Sequence, residues 1–403
     1  MAFMRTYRST VFTCYVGAFT QAATNNFAPL LFLTFFNEFH ISISKISFLI
    51  TLNFCTQMLV DFLGARFVDS LGYRVSVVTA HILAALGLLE LGLLPYLLPS
   101  PYVGLCIAVI TGAVGSGLIE VLLSPIVEAL PGPEKASAMS VLHSFYCWGM
   151  MTVILVSTAF FYFFRIEYWR LLAIGWAIIP AVNALLFSRV PICTLESTKG
   201  QSLKMSALFQ KKQFWIFLFL MFCSGAAEQA LAQWISLFVE SDLAISKTLG
   251  DLLGPCVFAM LMGLSRLIFG NFGDRIDLRK STMWGGGICF IGFLIAALSP
   301  YRILSLLGCG VCGLSVGMMW PGVISQAARL LPAGGTAMFG LLALAGDVGC
   351  FAGPDVVGWV SAAASETSNQ ANLRAGLLSA SVFAALIAVG ALMLKKYSNT
   401  NDL

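Results

Sequence analysis

The chain is built from long apolar runs separated by short polar loops. A helix needs about 20 apolar residues to cross the hydrocarbon layer of a membrane, and within that layer a helix satisfies all of its backbone hydrogen bonds internally. Twelve runs reach this length, and together they fill most of the sequence. They cover residues 9–36, 46–68, 76–98, 102–129, 137–163, 170–190, 213–239, 249–271, 281–299, 303–330, 335–361 and 373–394. This pattern predicts an all-α membrane protein with twelve transmembrane helices.

The longest polar stretch between these runs, residues 190–212, follows the sixth of them. It predicts an N-terminal six-helix bundle over 1–190, a linker over 191–212 and a C-terminal six-helix bundle over 213–403. Lys and Arg residues are unevenly shared, with sixteen on the side of the termini and linker and six on the other side. Because positively charged loops stay in the cytoplasm, we expect both termini and the linker there, in a multi-pass protein of a bacterial inner membrane.

Two features recur in both halves at nearly the same spacing. Residues 65–74 are ARFVDSLGYR and residues 270–279 are GNFGDRIDLR, 205 positions later. A glycine eight residues before a proline also recurs in the fourth and tenth runs, as the pairs Gly117–Pro125 and Gly313–Pro321. Parallel repeats of six helices are a known transporter plan, with the substrate site near the midplane between the repeats. The sequence therefore predicts two pseudo-symmetric bundles.

Composition narrows the class of protein further. Apolar residues make up 59% of the chain and charged residues 10%, against about 25% charged residues in soluble domains, which excludes a water-soluble fold. The net charge of +4 is scattered without a basic stripe, so no nucleic-acid partner is expected. The sequence contains no nucleotide-binding loop, zinc-protease motif or nucleophile elbow, and Cys309 and Cys312 form a lone C-x-x-C pair. We predict a protein that is not an enzyme and that uses no cofactor or metal.

The segment after the second run resembles the signature G-x-x-x-D-R-x-G-R-R of the major facilitator superfamily. The matching residues are Arg66, Asp69, Gly72 and Arg74 in the first copy and Gly270, Asp274, Arg275 and Arg279 in the second. Ala65, Ser70 and Tyr73 depart from the signature, and Asp277 replaces a glycine. The resemblance covers the whole chain and implies an alternating-access transporter. It assigns the eight matching residues to a cytoplasmic gating latch, in which Asp pairs with helix ends and Arg side chains; positive-inside anchoring is the alternative.

A second resemblance lies in the fourth and fifth runs. Residues 117–125, GLIEVLLSP, resemble the G-x-x-E-x-x-x-N-P stretch of the fucose permease group of sugar–proton symporters, and residues 142–149, LHSFYCWG, resemble its L-x-Q-x-F-x-S-F-G segment. In that group the acid of the fourth helix takes part in proton coupling and sugar binding, a role that the resemblance assigns to Glu120. Two departures are that Asn25 stands near the group's other functional acid and that Ser124 replaces its Asn.

Three carboxyl groups lie deep in apolar runs: Glu120, Glu228 and Asp347. A charge at the bilayer centre costs roughly 2.5–3.5 kcal/mol on insertion scales, so such groups face a partner or a wet cavity. Because the superfamily plan places helices 1, 4, 7 and 10 around the central cavity, we expect Glu120 and Glu228 to face each other across it.

A carboxyl group whose hydration differs between two states can bind a proton on one side and release it on the other. Glu120, Glu228 and Asp347 are therefore candidates for proton coupling. The alternatives are structural: a hydrogen-bonded acid at Glu120, and at Asp347 close helix packing at the interface between the halves, through the neighbouring Gly346 and Gly349.

Amide and aromatic residues supply the candidate substrate-binding groups. Gln21 and Asn25 lie one turn apart in the first run, and Gln229 and Gln233 have the same spacing in the seventh, beside Trp234. Amides hydrogen bond to hydroxyl groups while a ring covers a C–H face, which suits a polyol. The remaining candidates are His143, Tyr146 and Trp320. Alternatively, the amides hold helices together and the rings fill the bundle.

We predict a monomeric secondary active transporter in the lipid bilayer that imports a small neutral solute, with a sugar as first choice, by proton symport through Glu120. A sodium-coupled symporter is an alternative, with an oxygen of Gln21 or Asn25 joining Glu120 as ligand. A proton-driven exporter of amphipathic drugs or metabolites is a second alternative, since Phe and Met suit an adaptable apolar pocket. A receptor or scaffold that has lost transport is a third, which the paired latch segments disfavour.

Overall fold

The computed structural model describes residues 7–128, 135–192, 208–272, 277–331, 335–365 and 372–394. All regular secondary structure in these ranges is helical. The predicted linker over 191–212 falls mostly outside them, so the division of the chain at that linker stays a prediction.

The helices of the first half follow the predicted runs closely. They are α1 (Tyr7–Phe27), α2 (Phe32–Glu38), α3 (Ile43–Leu71), α4 (Tyr73–Leu97), α5 (Pro101–Glu128), α6 (Lys135–Phe164) and α7 (Trp169–Phe187). A 3₁₀ turn, Ala28–Leu31, joins α1 to α2, and a second, Ile166–Tyr168, precedes α7.

The helices of the second half are more often divided. They are α8 (Lys212–Ala232), α9 (Ile235–Ser241), α10 (Lys247–Asp251), α11 (Val257–Phe272), α12 (Leu278–Leu298), α13 (Arg302–Val316), α14 (Met319–Leu330), α15 (Gly335–Ser365) and α16 (Leu373–Met393). Two of them begin at a side-chain cap: Asp277 accepts from the backbone N–H of Lys280, and Asn372 from that of Ala375.

Eleven helical segments within the described residues are long and apolar enough to cross a membrane. They correspond to the second to twelfth predicted runs. The first run, predicted as one helix over 9–36, is instead divided into α1, the 3₁₀ turn and α2. Its sequence explains the difference, because residues 20–26, TQAATNN, are polar and Pro29 has no N–H to continue the helix ladder. The twelfth span therefore stays a prediction.

Four of the predicted runs are interrupted. The first breaks at the 3₁₀ turn, the seventh between α8 and α9, the eighth at a π-helical turn over Leu252–Cys256, and the tenth between α13 and α14. Irregular backbone at membrane depth is tolerated where protein buries it or where it lines a cavity, and π turns are common at functional sites. The breaks thus fall in the first, seventh and tenth helices, which the superfamily plan places at the cavity, and in one flanking helix.

The chain groups into two compact units. Unit 1 comprises Met1–Ser197 together with Ser246–Leu252, and unit 2 comprises Thr198–Ile245 together with Leu253–Leu403. The main helix pairs of unit 1 include α4–α5, α1–α6, α3–α5 and α4–α7, and those of unit 2 include α12–α13, α8–α15, α11–α13 and α12–α16. Both sets join the third run of a half with its fourth and sixth, the first with the fifth, and the second with the fourth. The packing pattern is therefore repeated in the two units.

In unit 1 an arginine at the start of the last helix ties three helices together. The Nε of Arg170 donates to the carbonyl of Gly92 near the end of α4, at 2.9 Å, and its guanidinium lies 3.8 Å from the ring centroid of Tyr96. Tyr96 and Trp169 both donate to the carboxylate of Glu38 at the end of α2. This cluster therefore ties α7 to the last two turns of α4 and to the end of α2.

Unit 2 contains an equivalent cluster. Arg374 donates from Nη1 to the carbonyl oxygens of Ala297 and Ser299 at the end of α12, at 3.1 and 2.7 Å, and its backbone N–H donates to Asp242 at 3.1 Å. Arg374 follows Arg170 by 204 positions, and the same offset separates Asp242 from the Glu38 of unit 1. This is a further repeated feature, and it supports descent of the two halves from one ancestral bundle.

We predict that Arg374→Ala lowers the free energy of unfolding by about 1–3 kcal/mol, because it removes the guanidinium donor of two carbonyl oxygens, of which that of Ser299 keeps only a 3.4 Å contact with the Ser305 hydroxyl. Thermal unfolding in detergent measures the effect. The matched control is Arg302→Ala, since Arg302 is exposed and makes a single 3.4 Å contact to the Ala244 carbonyl. Equal losses in the two variants would contradict the role given to Arg374.

Candidate functional site

The predicted proton-coupling acid of unit 1 is held by a neutral amide. The Nε2 of Gln21 on α1 donates to Oε2 of Glu120 on α5 at 2.7 Å, a distance typical of a hydrogen bond to a charged acceptor. Both residues were predicted from the sequence, where the sodium alternative brought them together through an oxygen of Gln21; here the amide nitrogen of Gln21 faces the carboxylate instead. The pair joins the first helix of the unit to the fourth.

Glu120 is exposed although it lies within a membrane-spanning helix. The exposed apolar residues of α5 lie on one stripe, at Val103, Ile107 and Ile110. Because an α-helix turns by about 100° per residue, the spacing in the sequence places Glu120 about 100° around the helix axis from the centre of that stripe. Its carboxylate is therefore directed away from the apolar surface of α5, into space on the side where Gln21 lies.

A second polar group lies one turn further along the same two helices. Asn25 follows Gln21 by four residues, and Ser116 precedes Glu120 by four, as expected for antiparallel neighbours. The Oγ of Ser116 lies 2.9 Å from Oδ1 of Asn25 and 2.8 Å from Oε1 of Gln57 on α3. The Nδ2 of Asn25 lies 3.1 Å from the same Gln57 oxygen.

Gln57 and Ser116 were missed by the sequence reasoning. The available signal was a pair of amides one turn apart in the second apolar run, Asn53 and Gln57, and the glycine of the fourth run at Gly117. A Cβ on Gly117 would lie 3.2 Å from the Cα of Gln57, so this glycine allows α3 to approach α5. Gly117 is also the glycine of the G-x-x-E stretch that ends at Glu120, so the same motif supplies both the acid and the close contact with Gln57.

Tyr146, a predicted lining residue, also belongs to this region. Its hydroxyl lies 3.3 Å from Nδ2 of Asn26, which donates in addition to the Ala22 carbonyl at 2.9 Å. Tyr146 is half-buried on α6. His143, another predicted residue, lies on the same helix, but its side chain is outside the described part of the structure.

The predicted acid of unit 2 has a different partner. Glu228 on α8 accepts at both carboxylate oxygens from Nη2 of Arg266 on α11, at 3.3 Å each. The Glu228 side chain is 9% exposed and that of Arg266 22%. Because a guanidinium remains protonated, it favours the ionised form of its partner, whereas the amide beside Glu120 carries no charge.

We predict that Arg266→Met lowers the free energy of unfolding by about 3–5 kcal/mol, because it leaves a buried carboxylate without its cation. The double variant Arg266→Met/Glu228→Gln should recover most of the loss. Denaturant titration of the purified protein measures both. Arg165→Met is the control, since Arg165 pairs with Glu167 at the surface and exposed pairs contribute about 0–1 kcal/mol.

The amides of the seventh run are paired with each other. Nε2 of Gln233 donates to Oε1 of Gln229 at 3.0 Å, and both residues are buried. The neighbouring Trp234 is fully buried and its Nε1 donates to the Pro354 carbonyl at 3.0 Å. In this conformation the ring therefore presents no face to a solute.

Asp347 lies half-buried on α15, in the stretch that packs against α8. A Cβ on Gly225 would lie 2.2 Å from the carbonyl oxygen of Gly346, and a Cβ on Gly349 would lie 2.0 Å from that of Phe222. Close packing at this glycine pair is present between α8 and α15, both of which belong to unit 2. Gly346 also accommodates the ring of Trp320, whose Cη2 would lie 2.2 Å from a Cβ there.

We predict that Gly349→Ala strongly destabilises the protein, by about 1–3 kcal/mol or more, because the added methyl group overlaps the α8 backbone. Gly340→Ala on the same helix is the control. Nothing lies within 4 Å of a Cβ at Gly340, so this variant should gain up to about 1 kcal/mol from helix propensity. Unfolding temperatures in detergent compare the two, and equal shifts would refute the packing account.

Arg74 of the predicted latch acts within unit 1. It donates to the carbonyl oxygens of Phe187, Ser188 and Val190, each at 2.9 Å, and so ties α4 to the end of α7. Gly72, between α3 and α4, has a φ of 79°, a backbone conformation that favours glycine.

The other latch residues are less fully described. Arg66, Asp69 and Gly270 lie on helices with side-chain surroundings outside the described structure, Asp274 and Arg275 lie outside it altogether, and Arg279 is half-buried in the first turn of α12. Asp277, which replaces a glycine of the signature, caps α12. The backbone N–H and ammonium of Lys280 hold the pKa of this carboxyl below its usual value. The latch function stays a prediction.

Comparison with known proteins agrees with the fold and the signature segments. The profile of the Major Facilitator Superfamily matches residues 13–354, most of the chain. The chain belongs to this superfamily, and the protein is accordingly a membrane transporter. A membrane protein of Rhizobium meliloti, MosC, is 24% identical over 148 residues, which are 37% of this chain and 36% of MosC. The match thus spans about a third of that relative.

Solved structures share the fold over nearly the whole chain. A D-xylose–proton symporter has 16% identity and a TM-score of 0.80, with 97% of this chain and 98% of that chain covered. The nucleoside transporter NupG has 14% identity and a TM-score of 0.74, with 96% and 99% covered. A bacterial homologue of the human lysosomal transporter Spinster, in an inward-facing and occupied conformation, has 13% identity, a TM-score of 0.76 and 96% coverage of both chains. At such identities these matches show the fold and leave the cargo open.

Proposed function

We propose that the protein imports a small neutral solute, with a sugar as first choice, together with protons through Glu120. It does so in a bacterial inner membrane with both termini in the cytoplasm. The observation that carries the proposal is the contact between Gln21 and the exposed carboxylate of Glu120, deep in an apolar helix. The names of two structural neighbours, a D-xylose–proton symporter and a nucleoside transporter, agree with a hydroxylated cargo.

The chemistry follows from the partner of the acid. An amide carries both a donor and an acceptor, so Gln21 can bond the ionised carboxylate through its NH₂ group and the protonated acid through its carbonyl oxygen. Glu120 can therefore gain or lose a proton without losing its partner. Glu228 is matched to a guanidinium, which suits the carboxylate alone, so we assign proton exchange to Glu120 and a fixed ion pair to Glu228.

The hydrogen bonds favour protons over sodium as the coupling ion. Gln21 presents its nitrogen to Glu120, and Oδ1 of Asn25 contacts Ser116. Sodium would need these amide oxygens to turn towards the carboxylate.

The test is uptake of labelled D-xylose, D-glucose, D-galactose and L-fucose into proteoliposomes with an imposed proton gradient. We expect accumulation by the unaltered protein. Glu120→Gln should lose gradient-driven accumulation at least about tenfold but keep exchange of labelled for unlabelled sugar, because the uncharged amide mimics the protonated acid. Glu90→Gln, on α4 and outside the site, is the matched control and should accumulate sugar normally.

Two outcomes would overturn this proposal. Accumulation driven by a sodium gradient at constant pH would assign the coupling to sodium. Absence of sugar uptake, together with drug sensitivity of cells that lack the gene, would favour the proton-driven exporter.

A further inference from the structure

The group formed by Asn25, Gln57 and Ser116 has no part in the proton chemistry described above. It joins α1, α3 and α5 one helical turn, about 5.4 Å, from the contact between Gln21 and Glu120. All three residues are buried, with Gln57 5% exposed and Ser116 0% exposed. A polar group so deeply placed needs a full set of hydrogen-bond partners, because an unmade bond costs about 1–3 kcal/mol.

Gln57 lacks one of these partners. Its oxygen side contacts Asn25 and Ser116, but within the described parts of the chain no acceptor lies within hydrogen-bond distance of its buried Nε2. An orphan group of this kind in a native site indicates a ligand or water that completes it. The position of Gln57 is set by helix packing, because α3 lies close to α5 where Gly117 faces the backbone of Gln57.

The protons of this group can be arranged in two ways. With the Gln57 oxygen facing the other two residues, the single hydroxyl proton of Ser116 must serve two oxygens, at 2.8 and 2.9 Å, so one close oxygen–oxygen contact has no proton. If the amides of Gln57 and Asn25 both turn over, every close contact carries a proton, and the orphan atom of Gln57 becomes its oxygen. The missing partner must therefore accept in one arrangement and donate in the other.

We propose that the orphan end of Gln57 binds a hydroxyl group of the transported solute, and that Asn25 and Ser116 orient it. A hydroxyl both donates and accepts, so it satisfies either arrangement, whereas a carboxylate only accepts and an ammonium only donates. The three described members of the group are all neutral, so none of them compensates an ion there. The proposal rests on the proposed function in one respect, that the cargo is a hydroxylated neutral solute, and it adds the residue that recognises one of its hydroxyls.

The test measures binding without any ion gradient. Dissociation constants of D-xylose, D-glucose and each of their monodeoxy analogues are measured in detergent for the unaltered protein, Gln57→Met and the shortened amide Gln57→Asn. For the unaltered protein, we expect loss of one particular hydroxyl to weaken binding about fivefold, the effect of one hydrogen bond. In Gln57→Met the parent sugar and the analogue that lacks this hydroxyl should bind with equal dissociation constants. The ratios of dissociation constants for analogues that lack other hydroxyls should stay unchanged.

Gln326→Met is the matched control. Gln326 is also 5% exposed, but its amide is satisfied, since it donates to Thr282 Oγ1 at 2.6 Å and to the Gly322 carbonyl at 3.2 Å. This variant should lower the unfolding temperature without changing any ratio of parent to analogue. If Gln57→Met folds poorly, Gln57→Asn serves for the same comparison.

The outcomes separate this proposal from the proposed function. If the ratios of the dissociation constants of parent and analogue in the Gln57 variants equal those of the unaltered protein, Gln57 is a structural amide or holds a trapped water, and the assignment is overturned. It is also overturned if neither D-xylose nor D-glucose binds. If sugars bind with the expected ratios but do not accumulate under a proton gradient, the proposal of proton symport is rejected while the assignment of Gln57 stands.

Discussion

A carboxylate inside a membrane-spanning helix needs a partner, and the choice of partner decides what the acid can do. In unit 1 the partner of Glu120 is the uncharged amide of Gln21, which can bond either protonation state. In unit 2 the partner of Glu228 is the guanidinium of Arg266, which matches the charged form alone. Two acids that look alike in the sequence therefore have different partners, and this difference is the basis of the separate roles proposed for them.

The helices around Glu120 and Glu228 are held together by contacts that do not involve these two acids. Arg170 and Arg374 each satisfy carbonyl oxygens at the end of a neighbouring helix, and Arg74 does the same for α7. Glycines on α8 and α15 bring the two backbones into close contact. All of these contacts join helices within one unit.

The superfamily fold by itself does not select a cargo, since the same architecture serves a D-xylose–proton symporter and a nucleoside transporter. Selection depends on the few polar groups at membrane depth. In unit 1 these form two adjacent layers, with a titratable acid in one and an uncharged amide group in the other. The two proposals above therefore rest on different hydrogen bonds, coupling on the contact of Glu120 with Gln21 and recognition on the group around Gln57.

The linear pattern of residues was enough to identify the membrane class, eleven of the helices and the superfamily, and to select Glu120 as a candidate. These depend on local quantities: the length of an apolar run, the spacing of glycine and proline, and a short signature. It was not enough to pair Glu228 with Arg266 or to identify the contact of Gly349 with Phe222. Those features depend on which helix faces lie against each other, and residues 38 to 127 positions apart in the sequence meet there. Gln57 and the arginine clusters were missed for the same reason, since a single amide or arginine acquires its role from the helix ends and side chains that packing brings to it.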